Sequence, residues 1–333
     1  MRSEADREIA ATVEQLNAAL GQVRDLNVHI SHAIINGHET SAMEDQRQVL
    51  INEISEIVPV KEYQRDLGAI ALFSPGGAIL LDGNAAQIDF TATNVIAPHM
   101  TLAGGHLSDL SIAGRPVDTA SGTSPIRGGK LAALFAIRDE HAVGTQSQLD
   151  AVARDLVERF QDAGLDATRA PGAAGLFTDG GGPFTAVNET GLSGRLAVNA
   201  AIDPVLRGAT WRLRDGLGAA VPGPVGHSQL LQDMQTALTA PRIPASGNFG
   251  PTAQSTTDLH ATFLGQIGSA REVNDQVVGF AAARYDAVNT RVLEDGVDSD
   301  QEMQRLLLIE QAYAANARMM QVVDEMMDAL MRI

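Results

Sequence analysis

The feature that most constrains this chain is a long helical stretch at its C-terminal end, Gly296 to Ile333. After Asp298 this stretch contains neither glycine nor proline. Apolar residues recur there at alternating steps of three and four, the heptad spacing that keeps one face of a helix against a partner helix. The resulting seam consists of Leu306, Ile309, Tyr313, Asn316, Met320, Val323, Met327 and Leu330. Asn316 is its polar member, and a single polar seam residue fixes register more than it adds stability.

The energetics of this stretch predict that it needs partners. Burying each apolar seam side chain gains about 1.5–3 kcal/mol, whereas fixing the backbone costs about 1–2 kcal/mol per residue. A lone helix about 55 Å long, at about 1.5 Å per residue, would therefore be marginal in water. Two interpretations remain open: the helix packs on its own domain, or it is an element of assembly between copies.

A second heptad lies near the N-terminal end and stops before Gly37. Its members are Ile9, Val13, Leu16, Leu20, Val23, Asn27, Ile30 and Ile34. The run Ser41 to Glu44 resembles a capping box and predicts the start of another helix, which Pro59 ends. Residues 1–59 are thus expected to form a helical hairpin. Our hypothesis is that apolar ribbons near both ends of the chain join neighbouring copies into a tubular polymer.

The residue pattern in the middle of the chain changes twice, from one typical of helices to one typical of strands and back. Residues 60–126 contain short alternating apolar runs separated by turn residues, which predicts a small antiparallel β insertion. Strands are expected at 70–73, 78–81, 88–90, 100–102 and 110–112. Residues 127–164 are expected to form a core helix with Gly164 as its C-cap.

The remaining segments predict a return to helix after a region of loops. Residues 165–250 are expected to form an outer loop and β domain, with short strands at 196–199 and 210–213 and a short helix at 228–238. Residues 251–294 then form a core helix, and 295–333 form the C-terminal assembly helix. The predicted fold class is α+β, a long-helix coiled-coil bundle interrupted by a small antiparallel β unit and a loop-rich outer domain.

The composition argues against several classes of function. A net charge of −17 disfavours nucleic acid and anionic membrane surfaces as partners. With no cysteine, the chain has neither disulfides nor thiolate chemistry. His29, His32 and His38 are the nearest approach to a metal site, but surface histidines are the commoner explanation of such spacing. We expect no catalytic residues, no metal and no cofactor.

Three C-terminal segments resemble the C-terminal signature of flagellar axial proteins: 296–302, 310–318 with its Gln-Ala-Tyr core, and 324–330. The run from Met43 to Arg47, followed by 54–58, is similar to the second core helix of the hook-associated protein 1 family. The helix that starts at 128–131 matches that family's third core helix. The chain is therefore identified as a member of this family.

The resemblance implies a structural subunit of the bacterial hook–filament junction and not an enzyme. Implied partners are copies of the chain, hook protein, the second junction protein and an export chaperone. The family acts outside the cell in the flagellum and is exported by the flagellar type III apparatus without a cleaved signal. The alternatives are another axial protein (hook protein, flagellin or the second junction adaptor) and, further off, a cell-wall hydrolase with helical oligomerisation arms.

One departure from the family concerns the N-terminal side. Family members begin with a helix that pairs with the C-terminal one, and no such segment precedes Ile9. We therefore expect this chain to be a truncated family member. We also expect its C-terminal seam, without that partner, to be frayed, displaced or self-paired.

Overall fold

The computed structural model describes residues 1–119, 124–295 and 299–331. Two compact units are present, Met1–Phe263 and Leu264–Ile333. Long helices and small antiparallel sheets occur in the same chain, which confirms the mixed α+β class. The division into six segments stays a prediction.

The first unit begins with a helical hairpin. Helix α1 spans Arg2–Ile35 and helix α2 spans Ser41–Ile57. The prediction that Ser41 caps α2 is wrong, because the helix starts there and Thr40 is its N-cap. The hydroxyl of Thr40 donates to the Glu44 carboxylate over 2.8 Å, so a side-chain bond one residue earlier takes the place of the expected box.

Three small antiparallel sheets follow from the short apolar runs. The first has the order β1 (Lys61–Gln64), β2 (Ile70–Phe73), β3 (Ile79–Asp82), β4 (Asn84–Ala85). The second has the order β5 (Ile88–Asp89), β6 (Leu110–Ile112), β7 (Arg115–Val117). The predicted strand at 100–102 is wrong, because this segment lies in consecutive turns whose backbone bonds run from Met100 to Ala97 and from Gly105 to Leu102.

The helix predicted over 127–164 is found in three pieces. Helix α3 spans Gly129–Ala136, a π-helical segment spans Ile137–His141, and helix α4 spans Ala142–Gln161. Gly164 is not the C-cap as expected, because Asp162 takes that position and its carboxylate accepts the Gly164 amide over 2.8 Å.

Short elements fill the region after α4. Strands β8 (Phe177–Asp179) and β9 (Leu196–Val198) pair, with the four-residue helix α5 (Leu192–Arg195) between them. Helix α6 (Arg212–Asp215) stands where a strand was predicted, because apolar and charged residues over so short a run fit one helical turn as well as a strand. Helix α7 spans Gln229–Thr239, close to the expected short helix.

The main core of the first unit lies between α1, α2, α3 and the two larger sheets. Its largest cluster of buried side chains includes the apolar seam of α1 together with Ile54, Leu72, Leu110 and Phe135. Two smaller clusters form around α4, one with Phe249 and one with Phe184.

Asparagines on α1 attach the helix to the sheets. The amide of Asn27 donates to the Ile70 carbonyl over 2.8 Å and accepts from the Ile70 amide over 3.2 Å. Asn17 makes the same pair of bonds with Ile88, over 2.7 and 3.0 Å. Each side chain thereby satisfies one residue of strand backbone that would otherwise be left without a partner beside the helix. The polar seam member Asn27 is thus a docking point for β2.

Two long helices complete the described chain. Helix α8 spans Thr256–Asp295, and helix α9 spans Ser299–Met331. Gly296, with which the C-terminal stretch singled out from the sequence begins, lies outside the described residues.

Candidate assembly surfaces

The predicted C-terminal seam lies on α9, and the side chains of it that the structure describes are exposed. The exposed fractions are 63% for Leu306, 60% for Ile309, 77% for Tyr313 and 74% for Met320, and Asn316 is exposed as well. The other three predicted seam residues have side chains outside the described part of the chain: Val323, Met327 and Leu330.

The apolar surface of α9 is wider than the seam. Residues on both sides of it are also more than half exposed: Met303, Leu307, Leu308 and Met319. Apolar side chains presented so densely along one helix have no acid–base or nucleophilic chemistry. What they can do is bury area against another apolar surface, with a gain of about 1.5–3 kcal/mol for each large side chain fully covered.

The N-terminal heptad is mostly buried, in contrast to the seam of α9. Its members Ile9, Leu16, Leu20, Val23 and Ile30 are completely buried inside the first unit. The hypothesis that this ribbon joins neighbouring copies is therefore wrong for most of its length, because α2, α3 and the sheets already cover it. Only its last member, Ile34, keeps a sizeable exposed fraction, 39%.

Sequence reasoning missed a buried ion pair that fixes the start of α1. The guanidinium of Arg138 donates to the Asp6 carboxylate over 2.7 Å, and both side chains are fully buried. Arg138 also donates to the carboxylate of Asp139 over 2.8 Å and to the carbonyl of Ser108 over 3.0 Å. The second Asp6 oxygen accepts the backbone amide of Thr93. Four separate segments therefore meet at one charged pair.

The environment of Arg138 determines its pKa. Burial lowers the pKa of the guanidinium, but hydrogen bonds and charge from Asp139 and Asp6 outweigh burial and raise it above the ordinary value. The guanidinium also lies over the rings of Phe135 and Phe90, at 4.9 and 5.6 Å from their centroids. Arg138 is thus permanently charged and serves as a structural cation in the core.

A cavity of 550 Å³ opens beside the N-terminal end of α1. Arg2, Pro98, Val143 and Val187 are among its lining residues. Its buried carboxylate, Asp150, accepts the Ser193 hydroxyl over 2.6 Å, the Ser193 amide over 2.9 Å and the Gly191 amide over 2.6 Å.

The other carboxylate of the cavity is also engaged in the fold. Glu189 forms an ion pair with Arg154 over 2.7 Å and accepts a bond from Ser246. Because both acidic groups hold neighbouring backbone or side chains, neither carboxylate is free to act as an acid or a base in the cavity.

The histidines weighed as metal ligands are on the surface. His29, His32 and His38 are exposed on α1 and in the turn after it. Among the residues that the structure describes, no three His, Cys, Asp or Glu side chains are grouped so as to hold a metal ion. Within the same residues no helix combines the length and the apolar character needed to cross a bilayer.

Comparison with protein families gives two matches. Residues 1–177 match the model of the flagellar hook-associated protein FlgK helical domain. Residues 293–333 match the model of the C-terminal region of flagellar basal body rod FlgEFG proteins.

Individual relatives agree with these matches at modest identity. The chain is 25% identical to flagellar hook-associated protein 1 of Bacillus subtilis over 348 residues, which cover 98% of this chain and 66% of the relative. It is 24% identical to the protein of the same name from Escherichia coli over 394 residues, covering 98% and 70%. The chain thus spans about two thirds of the length of these relatives.

A solved structure is also similar, that of the flagellar hook junction protein FlgK from Burkholderia pseudomallei. It matches with a TM-score of 0.41 and 23% identity, over 54% of this chain and 32% of the other. The helical-domain model covers more than half of the 333 residues. The chain accordingly belongs to the family of the flagellar hook-associated protein FlgK.

Proposed function

We propose that this chain is a structural, non-catalytic subunit of the junction between the hook and the filament of a bacterial flagellum. The relatives it matches are named flagellar hook-associated protein 1. In this role the protein forms contacts between axial components and carries out no reaction.

The observation that carries this proposal is the exposed seam of α9. Leu306, Ile309 and Tyr313 are each at least 60% exposed in one chain. A helix with that much apolar surface is stabilised when other helices cover it, and neighbouring subunits of a polymer would supply such helices. The C-terminal segment that bears it also matches the rod-protein model, which supports an axial role.

The proposed partners are copies of this chain, hook protein and the second junction protein, with an export chaperone before assembly. We place the assembled protein outside the cell, after export through the flagellar type III apparatus. The net charge of −17 is consistent with partners that are neither nucleic acid nor anionic lipid.

Deletion of the gene tests the assignment. Electron microscopy of the deletion strain is expected to show hooks that lack filaments. Loss of the hooks themselves would instead favour a rod or hook protein, the alternative that the rod-type C-terminal match supports. Normal filaments on the deletion strain would reject both.

A pair of variants on α9 tests the seam itself. Tyr313→Asp places a charge in the seam, whereas Gln311→Asp places the same charge on an exposed residue outside it. Expressed in the deletion strain, the Gln311 variant is expected to restore filaments and the Tyr313 variant to restore few or none. Equal restoration by both would show that the seam does not carry the contacts.

A further inference from the structure

Helix α8 carries an exposed seam of its own. From the start of the second unit, residues recur on one face of α8 at alternating steps of three and four. We call this set the α8 seam: Leu264, Ile267, Arg271, Asn274, Val278, Ala281, Tyr285 and Val288. All of these side chains are exposed. Because the set runs for more than three heptads, it is long enough to form a coiled coil with another helix.

The α8 seam and the seam of α9 have like residues at matching positions. In both, a leucine is followed after three residues by an isoleucine and after ten by an asparagine: Leu264, Ile267 and Asn274 in α8, and Leu306, Ile309 and Asn316 in α9. If the helices lie parallel with leucine beside leucine, these three pairs face each other. Facing asparagines can hydrogen-bond, because each amide has donors and an acceptor. Such a polar pair in an apolar seam fixes the register of two helices.

The other layers of this parallel register are also complementary. Val278 faces Met320. The guanidinium of Arg271 faces the ring of Tyr313, and an aromatic ring binds a cation over its face. Asp275, 3.7 Å from the same guanidinium, is on α8 itself and can stay beside it. In the last three layers the sequence places alanine, tyrosine and valine of α8 opposite Val323, Met327 and Leu330.

A parallel pair of α8 and α9 cannot form within one chain. With Leu306 beside Leu264, Leu306 would be about 46 Å from Asp295, measured along α8 at about 1.5 Å per residue. The chain between Asp295 and Leu306 can span only about 25 Å, because it is helical from Ser299 onward. The α9 that lies parallel to a given α8 must therefore come from a second copy.

A hairpin of α8 and α9 within one chain would match the side chains less well. The two seams are symmetric about position 297, so an antiparallel hairpin would also align them. It would place Asn274 against Met320 and Asn316 against Val278. Two amides would then be buried without hydrogen-bond partners, which is unfavourable. The asparagines thus favour the parallel register.

Pairing each helix with its equivalent in a second copy is also less favourable. Two α8 helices in parallel register would place Arg271 beside Arg271, and like charges repel. Two α9 helices would pair their asparagines but leave the α8 seam exposed. Pairing α8 with α9 covers both seams and gives both amides a partner.

We propose that α8 of one copy pairs in parallel with α9 of a second copy, with Asn274 beside Asn316. The proposal rests on the proposed function and names the helices and the register through which copies of the chain contact each other. Because the two surfaces differ, each copy in such a pair keeps one seam for a further copy. The contact can therefore repeat along a polymer.

Single thiols test the register, because the chain has no native cysteine. Ile267→Cys is made in one full-length chain and Ile309→Cys in another, and one of the two carries a tag that changes its size. The purified proteins are mixed at high concentration in a glutathione redox buffer and separated without reduction. A disulfide requires Cα atoms within about 7 Å of each other. We expect the mixed dimer to exceed each same-variant dimer by about tenfold.

A matched control and a hairpin probe complete this measurement. Ser269→Cys places an exposed thiol on the other side of α8 from Ile267, and its mixture with Ile309→Cys is expected to show no excess of mixed dimer. The inference is overturned if Ile267→Cys gives no more mixed dimer than this control, or if dimers of Ile309→Cys predominate. Tyr285→Cys with Ile309→Cys in one chain probes the hairpin, and an internal disulfide there also overturns the inference.

The same two variants, co-expressed in the deletion strain, separate this inference from the proposed function. Hook–filament structures are isolated, oxidised and immunoblotted without reduction. Variants that are present in these structures but give no mixed dimer overturn the inference and leave the proposed function standing. Absence of the tagged wild-type chain from such structures overturns the proposed function, and the inference with it. If the wild type is incorporated and the variants are not, the purified mixture decides.

Discussion

At the scale of single residues, the pair formed by Asp6 and Arg138 is the most consequential contact in the described chain. The two residues are 132 positions apart in sequence, and their side chains are fully buried. Removing both charges from water is costly, so the pair does not by itself make the fold more stable than an apolar pair would. Removing either partner, however, leaves the other charge buried and unpaired, which greatly lowers the free energy of unfolding.

We predict that Arg138→Met lowers the free energy of unfolding by about 3–5 kcal/mol, because it leaves Asp6 buried and unpaired. Chemical denaturation followed by circular dichroism measures the change. The double variant Asp6→Asn with Arg138→Met should recover part of the loss, since it also removes the stranded charge. Arg24→Met is the control: it breaks an exposed pair with Asp25, for which we expect about 0–1 kcal/mol. A loss at Arg138 no larger than at Arg24 would contradict the prediction.

Asp215, in the loop-rich region after α4, is another carboxylate that is paired with an arginine, Arg214. Hydrogen bonding from Arg214 is the largest cause that lowers the pKa of Asp215, from the ordinary 3.8 to about 2. The same carboxylate accepts the Gly223 amide over 3.0 Å and lies 3.5 Å from Nδ1 of His227. Asp215 therefore fastens the loop after it, which contains Pro222 and Pro224, and does so most strongly while it is ionised.

A lowered folded pKa means that the stabilising effect of Asp215 is fully present above pH 3.8 and is lost as the pH falls through about 2. We therefore predict that the stability difference between the wild type and Asp215→Asn is constant above that value and shrinks below it. Urea denaturation at a series of pH values measures both proteins. Asp45→Asn, which removes an exposed carboxylate on α2, should leave the pH profile nearly unchanged. A difference that does not vary with pH would show that the charge of Asp215 is unimportant.

At the scale of elements, α1 and α9 show what heptad spacing can and cannot predict. Both helices are long and have apolar residues at steps of three and four. The spacing predicts a helix and its apolar face, because it depends only on backbone geometry. What covers that face depends on residues far away in sequence. The seam of α1 is buried by its own unit, whereas the described part of the α9 seam is exposed.

The same limit explains the details that sequence did not predict. The Arg138 pair depends on Asp6, which is 132 positions away in sequence and which no local pattern indicates. The cap at Thr40 was missed by one residue because adjacent hydroxyl residues carry the same signal. The backbone of Leu67 has a φ of 54°, and no propensity favours leucine in that left-handed region. Asn27, by contrast, could be noticed from its polar position within an apolar seam.

We predict opposite outcomes for one substitution made in the two helices. Leu16→Ala should lower the free energy of unfolding of the chain by about 2–5 kcal/mol, because it opens a cavity in the main core. Leu306→Ala should change it by less than about 0.5 kcal/mol, because that side chain is 63% exposed. Thermal or urea denaturation of dilute protein measures both. A large loss at Leu306 in dilute protein would mean that its seam is already covered within a single chain.

At the scale of the whole molecule, the described clusters of buried apolar side chains all lie within residues 1–263. The second unit consists of helix whose described side chains are exposed, except for the half-buried Gln266. Under the proposed function, folding and assembly would therefore fall to different parts of the chain. The first unit has the interior that stabilises it, and α9 has the surface that other chains can cover.

We predict that a chain shortened to residues 1–263 still unfolds cooperatively and retains near-ultraviolet circular dichroism, because its three described clusters remain intact. We also predict that it self-associates less than the full chain at equal concentration, measured by sedimentation velocity. Self-association as strong as that of the full chain would place the main contacts in the first unit. Loss of cooperative unfolding would show that the first unit depends on the helices that follow it.

The exposed edge of strand β1 has features that protect it against aggregation through strand pairing. It is an outer strand of its sheet, its four residues are exposed, and one side of its backbone has no neighbouring strand in the described chain. Bare sheet edges recruit foreign strands and seed amyloid-like fibrils. Here the edge strand is short, begins with Lys61 and Glu62, and starts two residues after Pro59, three properties that discourage such recruitment. Under the proposed function, the chain would thus contact its copies through helices while its sheet edges stay unpaired.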